Sequence, residues 1–354
     1  MRQALTYDDV ILVPAYNHYE SRKDVDISMV DKTGILHLDL PVMTANMDTI
    51  TEDAMAKWIR KKGGIGVIHR FMPIDENVEV FKRTIDYAGP EDPTDPAHVP
   101  SGMMNYKCFV SIGTGEKELE RADALRSVGA QNFCVDVAHA HAKYVGKVLK
   151  KLRAMLGSSS LIMAGNVATY AGADYLASYG ADIIKVGIGS GSVCTTRLKT
   201  GHGVPMITAI QECSRVGRSI VADGGIRYPG DIVKALAFGA DFVMIGGMLA
   251  GTRHTPGEVQ FASNIDPFSR CKIYRGMASK EVQGNADWKT AEGISVSVPY
   301  REDEDEIIQD IIGGLRSGLT YAGAINIREL QRKLNWLTVT PNGLREAFPH
   351  IRST

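Results

Sequence analysis

No stretch of this 354-residue sequence approaches the roughly 20 consecutive apolar residues that a bilayer-spanning helix needs. That excludes a membrane-spanning helix and points to a soluble partner set. The first ten residues, MRQALTYDDV, are polar and acidic, so they do not read as a signal peptide. A cytoplasmic location is the expectation. No excess of basic charge is present either: formal net charge is −1, which offers nothing to nucleic acid or to an anionic membrane. No CxxC pair occurs. Cysteine is sparse and odd in number, at Cys108, Cys134, Cys194, Cys213 and Cys271, which excludes a disulfide framework or a zinc ribbon. His69, His139, His141, His202 and His254 have no metal-ligand spacing with those cysteines. No internal low-complexity repeat stands out.

What is present is alternation. Short apolar runs, the mark of strands buried on both faces, occur at Leu40–Asn46, Gly64–His69, Cys108–Gly113, Phe133–Ala138, Ser160–Asn166, Asp182–Gly187, Ser219–Gly225 and Asp241–Gly247. Helical patterns lie between most of them, including Glu116–Val128, His141–Leu156, Tyr170–Tyr179 and Pro229–Phe238. Thr114 and Thr169 suit N-capping. Eight such units close naturally into a (β/α)8 TIM barrel, here one domain spanning residues 1–354. A doubly wound open sheet would carry one phosphate fingerprint near its first strand. Here the glycine clusters come late, after the sixth, seventh and eighth strands. Tyr87–Asn105 reads as a long surface loop. Phe261–Tyr300 reads as a loop over the C-terminal face, hence a flap. An amphipathic helix near Glu304–Ser317 and a tail complete the chain.

Three glycine-rich stretches carry the chemistry. Lys185–Arg197 (KVGIGSGSVCTTR) follows a strand, and its glycines allow backbone conformations closed to other residues. Cys194 sits there among small polar residues with Arg197 close by, a setting that favours a nucleophilic thiolate. The bland alternative is a tight turn with an inert cysteine. Ala222–Arg227 and Met244–Gly251 close the seventh and eighth strands, where barrels often bind phosphate through glycine N–H groups. Asp223 would accept hydrogen bonds from ribose hydroxyls. Plain barrel closure is the alternative for those glycine pairs.

Over nearly its whole length the chain resembles the family of inosine monophosphate dehydrogenase and guanosine monophosphate reductase. The segments that carry the resemblance are Leu5–Pro14, Ala45–Asp48, Gly63–Gly66, Met163–Val167, Lys185–Arg197, Asp223–Gly225, Gly246–Gly251 and Tyr274–Met277. The resemblance implies a thioimidate formed by Cys194 at C2 of a purine nucleotide, GMP or IMP. It implies nucleotide contacts at Ser192, Asp223, Gly224, Gly225, Gly246, Gly247, Gly276, Met277 and Ala278. It implies a dinucleotide bordered by Ser21, Arg22, Arg70, Asp136, Val137 and Ala138. Ser317, Gly318, Leu319 and Thr320 would reach it from a neighbouring subunit of a homotetramer. A potassium ion would be held by Gly189, Gly191, Cys194 and Arg197.

The two activities share their first chemical half. The dehydrogenase usually carries cystathionine-synthase-type repeats and a flap with an Arg-Tyr dipeptide that activates water. Neither is present here: residues 261–300 contain no Arg-Tyr, and only the Tyr87–Asn105 loop occupies the place of the repeats. Thr196 and Glu292 match the reductase pair that protonates departing ammonia. On these features the expectation is an NADPH-dependent GMP reductase. The alternatives are an IMP dehydrogenase without the repeats, using NAD, or a non-catalytic nucleotide-binding barrel.

Overall fold

The computed structural model describes residues 3–86, 108–261, 270–283 and 290–349. The eight apolar runs become eight parallel strands: β1 (Val42–Thr44), β2 (Ile65–Ile68), β3 (Cys108–Ile112), β4 (Phe133–Asp136), β5 (Ile162–Val167), β6 (Ile183–Val186), β7 (Ser219–Asp223) and β8 (Phe242–Ile245). They hydrogen-bond in sequence order and β8 returns to β1, which closes the barrel. Barrel closure leaves no free edge and buries both faces of every strand, which is why the runs are mostly apolar. Phe109, Phe133 and Phe242 are fully buried.

The helices α1 (Asp53–Lys61), α2 (Ile74–Ile85), α3 (Glu116–Ser127), α4 (Lys143–Leu156), α5 (Tyr170–Ser178), α6 (Met206–Ser214) and α7 (Pro229–Ala237) follow their strands in turn. Thr169 caps α5 by accepting from the Gly172 N–H. Thr114 does not cap α3. Gly115 takes that place with φ +110° and no side-chain bond, because the chain leaves β3 in a turn that only glycine tolerates. The Tyr87–Asn105 loop lies outside the described residues.

The Phe261–Tyr300 region is not simply a loop. Gln260–Phe261, β9 (Arg270–Arg275) and β10 (Ser295–Pro299) form a three-stranded antiparallel sheet, and a short helix, Lys280–Gln283, lies between its last two strands. The last long helix, α8 (Glu304–Tyr321), packs on α7 and runs one turn beyond the expected end, because Gly318 brings it against Val233. Residues Val10–Leu12 pair with Trp336–Thr338, tying the two ends of the chain together.

Candidate active site

Barrel register explains the polar centre. On β5, Gly165 stands opposite both Asp136 of β4 and Lys185 of β6. A Cβ at Gly165 would lie 2.5 Å from the Lys185 Cβ, so no side chain fits there and the two flanking residues meet across the gap. Lys185 is only 3% exposed. Its Nζ lies 2.8 Å from Asp136 Oδ1 and 2.8 Å from Asp223 Oδ2. Burial alone would strip its charge, but Asp136 and Asp223 outweigh burial and hold the ammonium above its ordinary pKa. Burial likewise pushes Asp136 up. The Lys185 charge and hydrogen bond, with Arg70 behind them, reverse that and hold the carboxyl below its ordinary value. Asn166 donates to Asp223 Oδ2 at 2.9 Å and to the Gly187 carbonyl at 2.7 Å. One Asp223 oxygen is thereby saturated by the protein. The site missed by sequence reasoning is this one: Lys185 and Asn166 read as parts of apolar strands.

Above this layer the β6 loop carries Cys194. Its thiol donates to Thr196 Oγ1 at 3.1 Å, and the Thr196 hydroxyl donates to Glu292 Oε2 at 2.8 Å. The three residues expected to do chemistry therefore form one continuous relay. The flap is stitched to the Cys loop by backbone bonds. Ile294 N donates to Val193 O, Thr195 N donates to Glu292 O, and Cys194 pairs with Gly293 between them. Cys194 is half-buried, whereas the other four cysteines are buried. Burial pushes the Cys134 and Cys213 thiols up to about 12.

The relay faces a cavity lined by Asp136, Asp223, Cys194, Thr196, Glu292 and the flap residues Gly276, Met277 and Ala278. Arg70, Val137, Ala138 and Gly224 line it as well. Arg70 Nε and Asn166 Oδ1 are buried on this wall without a protein partner. A second cavity, lined by Ser192, Gly247, Arg227, Tyr228 and Met248, shares Val193 and Tyr274 with the first. The Tyr274 hydroxyl bonds Ser192 Oγ at 3.0 Å on that shared wall. A Cβ on Gly246 would lie 3.5 Å from the Tyr274 hydroxyl, and one on Gly247 would lie 3.1 Å from Ser192 Oγ. The glycine pair thus leaves this corner free of side chains. Gly224, at φ +105°, approaches Ser190 closely, and Gly225 follows at φ +77°.

Not every expected residue arrives here. Ser21 and Arg22 are exposed in a turn where the Ser21 N–H bonds Asp24. Ser317, Gly318, Leu319 and Thr320 sit on α8, Leu319 is buried, and none of the four lines the cavity. Ala15 N bonds Tyr321 O at 2.8 Å, which ties the end of α8 to the chain before Ser21. Gly189 packs against the Arg197 side chain, whose guanidinium donates to Val204 O at 3.1 Å. His139 and His141 lie near each other with ring centroids 6.4 Å apart. Among the described residues, no cluster of three or more His, Cys, Asp or Glu side chains forms a metal site, and no helix is long and apolar enough to cross a membrane.

A family model described as the IMP dehydrogenase / GMP reductase domain matches residues 4–350. The chain belongs to the IMP dehydrogenase / GMP reductase domain family. Within this family it is 36% identical to an inosine-5'-monophosphate dehydrogenase of Cryptosporidium parvum, covering 98% of this chain and 95% of that protein. An Aquifex aeolicus protein of the same name is 32% identical, over 99% of this chain and 96% of its own length. A crystal structure of inosine 5' monophosphate dehydrogenase from Legionella pneumophila is 61% identical, with a TM-score of 0.84, covering 96% of this chain and all of that one.

These relatives overturn the expectation of an NADPH-dependent GMP reductase, since they carry the dehydrogenase name. The physical reason is that the Thr196–Glu292 relay has no preferred direction. A hydroxyl between a thiol and a carboxylate can take a proton from water as readily as give one to ammonia. Nor does the missing Arg-Tyr dipeptide decide the matter, because a carboxylate, Glu292, already stands within hydrogen-bonding reach of Thr196.

Proposed function

We propose that this protein is an NAD-dependent IMP dehydrogenase, an oxidoreductase that converts IMP to xanthosine monophosphate. The observation that carries the reading is the Cys194–Thr196–Glu292 relay facing the cavity beside Asp223. The Cys194 thiol adds to C2 of IMP as its proton passes through Thr196 to Glu292, which releases that proton to solvent before water is activated. NAD, when bound, would supply the hydride acceptor for C2, and Cys194 would hold the resulting thioimidate. Water then adds to C2, Glu292 accepts its proton through Thr196, and expulsion of the thiolate releases xanthosine monophosphate. The relay thus serves as base in the second half.

Asp223 takes the ribose hydroxyls through the oxygen that Lys185 and Asn166 leave unoccupied. Ser192, Gly246, Gly247 and Tyr274 surround the phosphate. Gly276, Met277 and Ala278 cover the purine. Arg70, Asp136, Val137 and Ala138 border the nicotinamide half of NAD. The segments around Ser21–Arg22 and Ser317–Thr320 lie off their own cavity, which fits a homotetramer in which they serve a neighbouring site. For a potassium ion, the carbonyls of Gly189, Gly191 and Cys194 are the suitable donors. The Gly191 carbonyl also accepts from Cys194 N at 3.1 Å, which curls the loop. Arg197 would contribute through its backbone carbonyl, since its guanidinium is a cation and donates to Val204 O. Such an ion would fix the loop that holds the thiol. A single barrel domain working in the cytoplasm completes the reading.

The test is anaerobic incubation of IMP with NAD, followed at the absorbance of reduced nicotinamide, beside GMP with NADPH. NADH formation from IMP alone supports the proposal. Oxidation of NADPH by GMP, without turnover of IMP, would sink it.

A further inference from the structure

The flap is stitched to the Cys loop on one side, as described above. Its other side faces the loop after β1. That loop is rigid: Met47 O accepts from both Ile50 N and Thr51 N, and the Thr51 hydroxyl donates to Ala45 O at 2.7 Å. Asp48 stands on this turn with its side chain only 10% exposed. Arg275 is the last residue of β9, immediately before Gly276, Met277 and Ala278. Its Nε lies 2.9 Å from Asp48 Oδ2 and 3.2 Å from Oδ1, and its Nη2 also bonds Oδ2. Two further contacts join the same segments. Arg275 N donates to Thr49 Oγ1 at 3.3 Å, and Asp48 N approaches Met277 Sδ at 3.4 Å.

We propose that Asp48 and Arg275 are positioning residues that hold the flap backbone Gly276–Ala278 over the purine ring. The inference rests on the nucleotide site proposed above and adds what sets its lid. The Cys loop fixes one side of the flap through Val193–Thr195, and the Asp48–Arg275 clamp fixes the other. With both sides fixed, the purine is pinned between backbone and thiol. With the clamp lost, the ring can ride away from Sγ while the thiol and its relay stay intact. A two-pronged, charge-assisted pair suits this task, because its geometry is narrow as well as strong. A displacement near 1 Å at a reacting pair is enough to slow attack greatly.

The experiment compares full-length wild type with Arg275→Gln, Asp48→Asn and Arg275→Lys. Expected is a rise in KM for IMP of about tenfold or more in the first two, with slower covalent trapping of Cys194 by a 2-halo purine nucleotide in step. Alkylation of Cys194 by iodoacetamide, which needs no purine, is expected to stay within about twofold of wild type. Arg275→Lys should recover part of the loss. Wild-type KM and trapping rates in Arg275→Gln would overturn the proposal. So would an equal loss of iodoacetamide reactivity, which would mean that the loop itself had collapsed. If the wild type fails to oxidise IMP, the functional reading falls, and the clamp is then judged on 2-halo nucleotide trapping alone.

Discussion

Replacing Lys185 with Met would leave Asp136 and Asp223 facing each other across the Gly165 gap with no cation between them. Chain length is kept, so the loss is of charge rather than of volume. Removing one partner of a buried ion pair typically costs roughly 3–5 kcal/mol. Here the carboxylate side chains are 17% and 21% exposed to the cavity, so water relieves part of the penalty. A loss of about 2–3 kcal/mol at pH 7 is therefore expected.

The sign of the pH dependence is the sharper test. In the wild type Asp136 is held below its ordinary value, so its stabilisation is complete above about pH 4 and is lost only as pH falls through the lowered pKa. Lys185 is raised, so its contribution is lost only as pH climbs past about 10.5 toward that raised value. Neither varies between pH 5 and 8. In Lys185→Met, burial and the Asp223 charge remain, opposed only by Arg70 and the Asn46 hydrogen bond, which weigh less on Asp136 than Lys185 does. The Asp136 pKa then rises above its unfolded value. The folded variant binds a proton more readily than the unfolded chain, and its stability increases as pH falls from 7 to 5. Urea unfolding at pH 5, 6, 7 and 8 reads this directly. A gap to wild type that is constant over that range, or below about 0.5 kcal/mol throughout, would refute the charge argument.

Cys194→Ala should abolish turnover while IMP still binds, as seen by calorimetry; residual turnover above about one part in a thousand would contradict covalent catalysis. Glu292→Gln should slow both the first turnover of NADH in stopped flow and the steady state by about 10²-fold or more, because both halves then lack their proton acceptor; a first turnover at the wild-type rate would contradict this role. Alkylation at pH 8 followed by mass spectrometry should modify Cys194 and spare Cys134 and Cys213, whose thiols lie at about 12. Gly187→Ala should lower stability by more than about 2 kcal/mol in a denaturation midpoint, since the residue has φ +149° and an added Cβ would meet the Asp223 carbonyl at 2.0 Å.

The barrel is legible in the sequence because a closed parallel sheet buries both faces of each strand and leaves a short, mostly apolar run. Strand ends are less legible. The run Leu40–Asn46 yields only Val42–Thr44 as strand, because Leu40 N turns aside to bond Gly63 O. The flap strands hide for the opposite reason: β10 alternates exposed and half-buried residues and looks like loop. The relay is legible through Cys194 and its loop, but Lys185 is not, since a lysine inside Ile183–Val186 gives no hint that two carboxylates from other strands converge on it. The direction of the redox chemistry escapes the sequence because a hydroxyl–carboxylate pair serves acid and base alike.

The backbone ladder between Val193–Thr195 and Glu292–Ile294 has a protective consequence. Sulfur and carboxylate are mounted on opposite sides of this ladder, so the same bonds that close the flap bring them together. When the flap parts from the loop, the enzyme surrenders its nucleophile's partner in the same movement. A stray electrophile arriving at an open mouth then meets a thiol separated from its proton acceptor.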